Sequence, residues 1–270
     1  MNNKVVLFFV SPLKKIIEYR KILIATTIQE IRKKYAGSLL GMFWIVLYPM
    51  LFLGVYSSVY AFVLKVVYEG LSTSEYICVI FSGLLVYIGF NESVMAGTLS
   101  VIANAGLIKN TMFPIELIPV RTVFFSQITQ GAGTVILLVA LLFMNRWSIT
   151  MPFIIVVWLL EISMELGLTW ILSSLNVVIR DVSTILGVIM MLLMMGSPIA
   201  YPASMVPNSI KAFMSINPIY SFIISSQKVL FFGEMPDLPS MVSMLLWGTI
   251  TPLIGYHFFI KMKGVFVDNV

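Results

Sequence analysis

The sequence predicts an all-α integral membrane protein. It has six transmembrane helices, an amphipathic helix before them on the cytoplasmic side, and a re-entrant pair of short helices between spans five and six. Three observations predict this. Mean hydropathy is +1.00 over 270 residues, which suits a bilayer better than water. Charged residues make up 11% of the chain, against about 25% in a soluble domain. Apolar stretches near the ~20 residues that a helix needs to cross the hydrocarbon core recur along the chain. The one Cys excludes an intrachain disulfide and a Cys-based zinc site.

The first apolar run, 5–10, is too short for a cleavable signal and is followed by Pro12, Lys14 and Lys15. From 13 to 31 the pattern is amphipathic. Leu13, Ile16, Ile17, Leu23, Ile24, Ile28 and Ile31 fall near helical spacing, with Lys14, Lys15, Glu18 and Lys21 mostly opposite. Such a helix lies on an anionic leaflet. Residues 1–38 form this cytoplasmic interfacial region, and a plain anchor is its simplest role.

The transmembrane domain spans 39–262, with helices at 39–64, 76–99, 122–144, 152–175, 184–201 and 241–260. The fifth is short unless it runs through Pro198 to Tyr201. The stretch 197–240 holds Pro198, Pro202, Pro207, Pro218, Pro236 and Pro239, yet stays apolar. Broken backbone at that depth must be buried in protein or line a water-filled cavity. Residues 261–270 form a cytoplasmic tail.

Lys and Arg set the orientation. With the N-terminus inside, only Lys65, Arg146, Lys211 and Lys228 of the 17 fall outside. Both termini are then cytoplasmic. The net charge of +5 reports topology and not a nucleic-acid partner.

The chain has no G-x-x-x-x-G-K-[ST], no G-x-G-x-x-G and no H-E-x-x-H. It cannot cradle nucleotide phosphates by the P-loop route, so ATP hydrolysis would belong to another polypeptide. Ser197 and His257 lie in different spans at opposite expected depths, which argues against a nucleophile–base pair. His257 reads as a satisfied interfacial group.

Two features carry more information. Trp44, Tyr48, Phe52, Tyr56 and Tyr60 recur every four residues of the first span. Each step advances about 40° beyond a full turn, so the row winds roughly 160° around the helix. Aromatic faces stack on sugars, and such a row suits a sliding glycan. Lipid-facing packing with Trp44 and Tyr60 as interface anchors is the plain alternative. Glu92, Glu161 and Glu165 fall inside spans, the last two on one face. Intramembrane carboxylates face a cavity or a partner. They could bind substrate hydroxyls, hold helices together or carry protons. The inside loop 100–121 holds Lys109, Asn110, Phe113 and Pro114 before Glu116, Pro119 and Arg121, and could dock into a partner's groove.

Four stretches carry a resemblance. They are 32–41 (Arg32-Lys33-Lys34-Tyr35-Ala36-Gly37-Ser38-Leu39-Leu40-Gly41) with Trp44 and Pro49; Leu107-Ile108-Lys109-Asn110 with Phe113-Pro114 and Pro119; Asn176 with Arg180-Asp181-Val182; and Ser197-Pro198-Ile199-Ala200-Tyr201-Pro202 with Pro207 and Asn217-Pro218. In this order and spacing the chain resembles the permease subunit of type-2 ABC transporters, in the branch that exports O-antigen, capsule and teichoic acid.

The resemblance implies a homodimer in the bacterial inner membrane, with a channel between its halves for a lipid-linked polysaccharide. The most fitting cargo is O-antigen. It implies two copies of a separate ABC ATPase that bind ATP and Mg, this chain binding no cofactor. Arg32, Lys33, Lys34, Tyr35, Lys109, Asn110, Phe113 and Pro114 would form the coupling surface. Pro198, Tyr201, Pro202, Asn217 and Pro218 would form a periplasmic gate. Trp44, Tyr48, Phe52, Tyr56 and Tyr60 are candidates to line the channel by their own spacing, and Glu161 and Glu165 by their place inside a span, the two carboxylates belonging to no motif of the family. Where many relatives carry an Arg after the Asn-Pro segment, this chain has Gln227-Lys228. The alternatives are an ABC exporter of a small molecule or lipid, and a proton-coupled carrier using Glu161 and Glu165.

Overall fold

The computed structural model describes residues 14–66, 68, 70–106, 114–202, 205–206, 214 and 217–269. Among the described residues there are helices and no strands, and five helices are long and apolar enough to cross a membrane.

Helix α1, Arg20–Tyr35, buries only Leu23 and Thr27 and ends in Arg32, Lys33 and Lys34, cations that suit the negative end of a helix dipole. Gly37 and Gly41, both at positive φ, then turn the chain. A 3-10 turn, Gly41–Phe43, leads into α2, Trp44–Ser58, and a π turn, Val59–Val63, extends it. Pro49, Leu53 and Ser57 are the buried face of α2. Their spacing of four puts them on one side, flanked by the half-buried Phe52 and Tyr56, while Tyr48, Met50, Leu51 and Val55 are exposed.

Helix α3, Thr73–Ala103, is the centre of the molecule. Ser72 caps it with Glu75 in a reciprocal capping box. Every residue from Cys78 to Phe90 is buried, as expected for a helix apolar on all sides. Helices α4, Leu117–Phe143, and α5, Ile154–Val178, pack around it.

Helix α6, Asp181–Met195, occupies the expected fifth span but has 15 residues, about 22 Å at 1.5 Å each. Gly196 ends it, and Pro198 disfavours helical geometry at Ser197. The short helix α7, Tyr220–Gln227, continues into a π turn at Lys228–Phe232 and lies buried against α3. Helix α8, Leu238–Asn269, closes the chain.

Apolar burial gives little driving force inside a bilayer, so close backbone approach and polar pins matter more. The α5–α8 crossing shows both. A Cβ on Gly167 would lie 2.2 Å from the Thr251 carbonyl carbon, and one on Gly255 2.2 Å from Gly167 O. Only glycine fits. Ser163 Oγ donates to Gly248 O at 2.7 Å and Thr251 Oγ1 to Met164 O at 3.3 Å. Such pins contribute about 0.6 kcal/mol each.

The irregular 197–201 segment is satisfied the same way. Gln227 Nε2 donates to Pro198 O at 3.2 Å and Ile199 O at 3.0 Å, and Tyr76 Oη donates to Ala200 O at 2.5 Å. Asn217 Nδ2 donates to Ser197 Oγ at 2.9 Å. Buried non-helical backbone thus finds side-chain donors, as an apolar surround demands.

Candidate functional site

The turn between α1 and α2 brings Lys34 and Tyr35 beside Trp44 and Tyr48. These four line a cavity of about 340 Å3 with Ile88, Asn91, Glu92 and Thr129. Lys34 Nζ is ion-paired with Glu92 Oε1, and it sits 4.6 Å from the Phe125 ring centroid and 5.7 Å from that of Tyr35. Two of the residue sets expected to act separately therefore meet around one cavity, Lys34 and Tyr35 from the coupling set and Trp44 and Tyr48 from the channel set, with Glu92 paired to Lys34. Sequence spacing alone could not show this, because 58 positions separate the partners.

The aromatic row is physically continuous from Tyr48 to Tyr60. Ring centroids lie 6.2 Å apart for Tyr48–Phe52, 6.3 Å for Phe52–Tyr56 and 4.8 Å for Tyr56–Tyr60. Tyr48 is 47% exposed, while Phe52, Tyr56 and Tyr60 lean on the core. Near the far end, Tyr68 stacks on Phe232 at 6.0 Å and faces Tyr76 at 6.0 Å. Pro198, Gln227, Lys228 and Phe232 join Tyr68 around a second cavity of about 280 Å3. Tyr201 Oη donates to Met195 O at 3.1 Å, and Pro202 O accepts from Met205 N at 2.9 Å. Asn217 and Pro218 line a third, apolar cavity of about 370 Å3 between α3, α5 and α6.

Glu161 and Glu165 lie elsewhere. Both are 0% exposed. Gln130 Nε2 donates to Glu161 Oε2 at 2.8 Å, and Gln127 Nε2 donates to Glu165 Oε2 at 2.7 Å. Trp158 Nε1 donates in turn to Gln127 Oε1. The pair ties α5 to α4 and lines neither the Trp44 cavity nor the Tyr68 one. A polar pair at 127 and 130 within an apolar span was the sequence signal for these partners.

At the end that carries α1, Glu116 precedes α4 with its side chain 2% exposed. Oε1 is paired with Lys15, and Oε2 accepts from Lys263 Nζ at 3.1 Å. Its backbone O accepts from Trp170 Nε1 at 2.9 Å, and Trp170 meets the Tyr256 ring edge-on at 5.3 Å. One carboxylate thus joins the chain before α1, the start of α4 and the end of α8. Burial pushes its pKa up, but Lys15 and Lys263 outweigh that and hold it below the usual value. Beside it, Arg121 pairs with Glu30 at 3.1 Å and donates to Asn104 Oδ1 at 2.9 Å. Lys33 and Glu30 line a cavity of about 440 Å3 there. Arg32 is exposed in the last turn of α1, and Pro114 O accepts from Leu117 N at 3.0 Å. Lys109, Asn110 and Phe113 lie outside the described residues. Ser197 Oγ donates to Leu193 O at 2.6 Å, and a His257 ring nitrogen meets Leu253 O at 2.8 Å. Both contacts are local to their own helices.

These features define a multi-pass helical membrane protein, with an aromatic row along one span and an ion-paired cluster at one end. No family model matches the chain. Relatives do. It is 26% identical over 263 residues to the O-antigen export system permease protein RfbA of Myxococcus xanthus, covering 95% of this chain and 98% of that one. Two proteins of the same name from Klebsiella pneumoniae are 26% and 27% identical, each covering 92% of this chain and 94% of the relative. Likeness along nearly the whole chain bears out the resemblance to the permease subunits of type-2 ABC transporters. The relatives are named as permeases, not as enzymes.

Proposed function

We infer that the chain is the transmembrane subunit of an ATP-driven exporter that moves lipid-linked O-antigen out of the cytoplasmic leaflet. The observation that carries this reading is the end-to-end likeness to three O-antigen export permeases. The continuous ring contacts from Tyr48 to Tyr60 support a glycan cargo. Two copies pair in the inner membrane, with α6 and the following turn as the fifth of six spans and both termini cytoplasmic. Two copies of a partner ATPase bind ATP and Mg below, engaging α1 and the inside segment 100–121. Pro198, Tyr201, Pro202, Asn217 and Pro218 act as the outer gate.

ATP binding on the partner favours one state of the permease by differential affinity. Glu116 belongs to the inside segment 100–121, so movement of Glu116 reaches Lys15 and Lys263 together. A proton-coupled carrier would need Glu161 and Glu165 on a wet path, and both are sealed at 0% exposure.

Deleting the chain in its host tests the function. Surface O-antigen should disappear while its lipid-linked form accumulates inside, and the wild-type chain should restore export. Unchanged surface O-antigen after deletion would overturn the reading.

A further inference from the structure

The cavity at the α1–α2 turn joins features that the export reading does not by itself explain. Trp44 and Tyr48 supply aromatic faces, while Asn91, Thr129 and Glu92 supply polar edges. Its volume of about 340 Å3 falls within the range of small-ligand clefts. Glu92 Oε1 holds Lys34, but Glu92 Oε2 is shielded from solvent with no hydrogen-bond partner. A shielded acceptor without a donor is costly, and a ligand hydroxyl would satisfy it. A carboxylate whose one nearby ammonium is already engaged repels phosphate and accepts from hydroxyls. Rings beside such an acceptor fit a neutral sugar: C–H faces stack, and hydroxyl edges donate.

We propose that this cavity is a loading site for one uncharged sugar residue of the glycan, and that its occupation releases Lys34 from Glu92. The proposal rests on the export reading and names the part of the cargo that is read first. Lys34 sits in the last turn of α1, so the ion pair fastens α1 to α3. The pair is partly exposed, with side chains 45% and 17% accessible, and such pairs break easily. A released Lys34 ammonium keeps the Phe125 and Tyr35 rings as neighbours, which lowers the cost of letting go. The cavity therefore turns the presence of a sugar into freedom of α1.

Two measurements test this on the full chain in lipid nanodiscs. First, octyl β-glucoside and octyl phosphate, both below their micellar concentrations, are titrated while tryptophan fluorescence is read. The glucoside should change the signal and octyl phosphate should not, with the change lost in Trp44→Phe and in Glu92→Gln. Equal responses to both probes, or a response that survives both substitutions, overturns the site.

Second, the ATPase rate is read in the complex with the partner. The glucoside should raise the wild-type rate about fivefold or more. Lys34→Met and Glu92→Gln should start at the raised rate, and the exchanged pair Lys34→Glu with Glu92→Lys should return to the low one. A Glu92→Gln rate equal to wild type, with the same stimulation, overturns the latch. If no ATPase joins the chain, the export reading fails, and the fluorescence titration still decides whether the cavity takes a sugar.

Discussion

Gln130 on α4 donates to Glu161 on α5 at 2.8 Å, and Gly89 on α3 makes room for it. A Cβ on Gly89 would lie 1.8 Å from Gln130 Oε1. Gly89→Ala should push the amide off its carboxylate and cost about 1–3 kcal/mol. Thermal unfolding in detergent reads this as a lowered midpoint. An unchanged midpoint would show that the three helices do not meet through this amide.

Glu161→Gln and Glu165→Gln keep an acceptor for Gln130 and Gln127. Each single variant should export within about twofold of wild type. Glu161→Ala leaves the buried Gln130 donor alone and should destabilise the chain by roughly 1–3 kcal/mol. Loss of export in a stable Glu161→Gln protein would instead make the carboxylate a working group.

Replacing Tyr48 and Tyr56 with Leu breaks the ring row at two places. The two substitutions remove all three ring contacts of the row, each worth about 1 kcal/mol, so export should fall roughly a hundredfold while assembly with the partner is kept. Phe at both positions keeps the stacking and should retain most of the rate. Surface O-antigen per assembled complex is the readout.

Glu116 and Lys15 give α1 a pH window. Glu116 is lowered in the fold, so its contribution is present above the ordinary value of 4.5 and is lost as pH falls through the folded value. Lys15 is raised: burial lowers it, but Glu116 outweighs that, so its contribution is present below 10.5 and fades as pH rises through the folded value. Amide exchange in α1 should therefore quicken in acid below the Glu116 range and in strong base, and stay slow between. Glu116→Gln should exchange fast at neutral pH. A flat profile in wild type would remove Glu116 as the clasp.

The helical membrane class was legible because it follows from apolar length and few charges. The 197–240 prolines announced irregular backbone, and the structure supplies the donors it needs, Gln227 and Tyr76 among them. The ring contacts from Tyr48 to Tyr60 were legible because a helix with a spacing of four keeps neighbours in touch. What stayed hidden was pairing across the sequence. Glu92 looked like a lone intramembrane charge until α1 folded back and placed Lys34 on it. Glu161 and Glu165 could bind substrate, carry protons or hold helices together, and the last became the reading that fits once Gln130 and Gln127 were found facing them. The clasp at Glu116 joins residues 101 and 147 positions away, and local patterns carry no trace of that.

The central claim is that this chain is one part of an ATP-driven exporter. The most direct measurement is mild-detergent purification of the tagged chain from its native membrane, after in-membrane cross-linking, with mass and identity of what accompanies it. The account predicts a companion in equal amount that carries G-x-x-x-x-G-K-[ST]. A chain that comes out alone or only with itself, with no ATPase even after cross-linking, would contradict it.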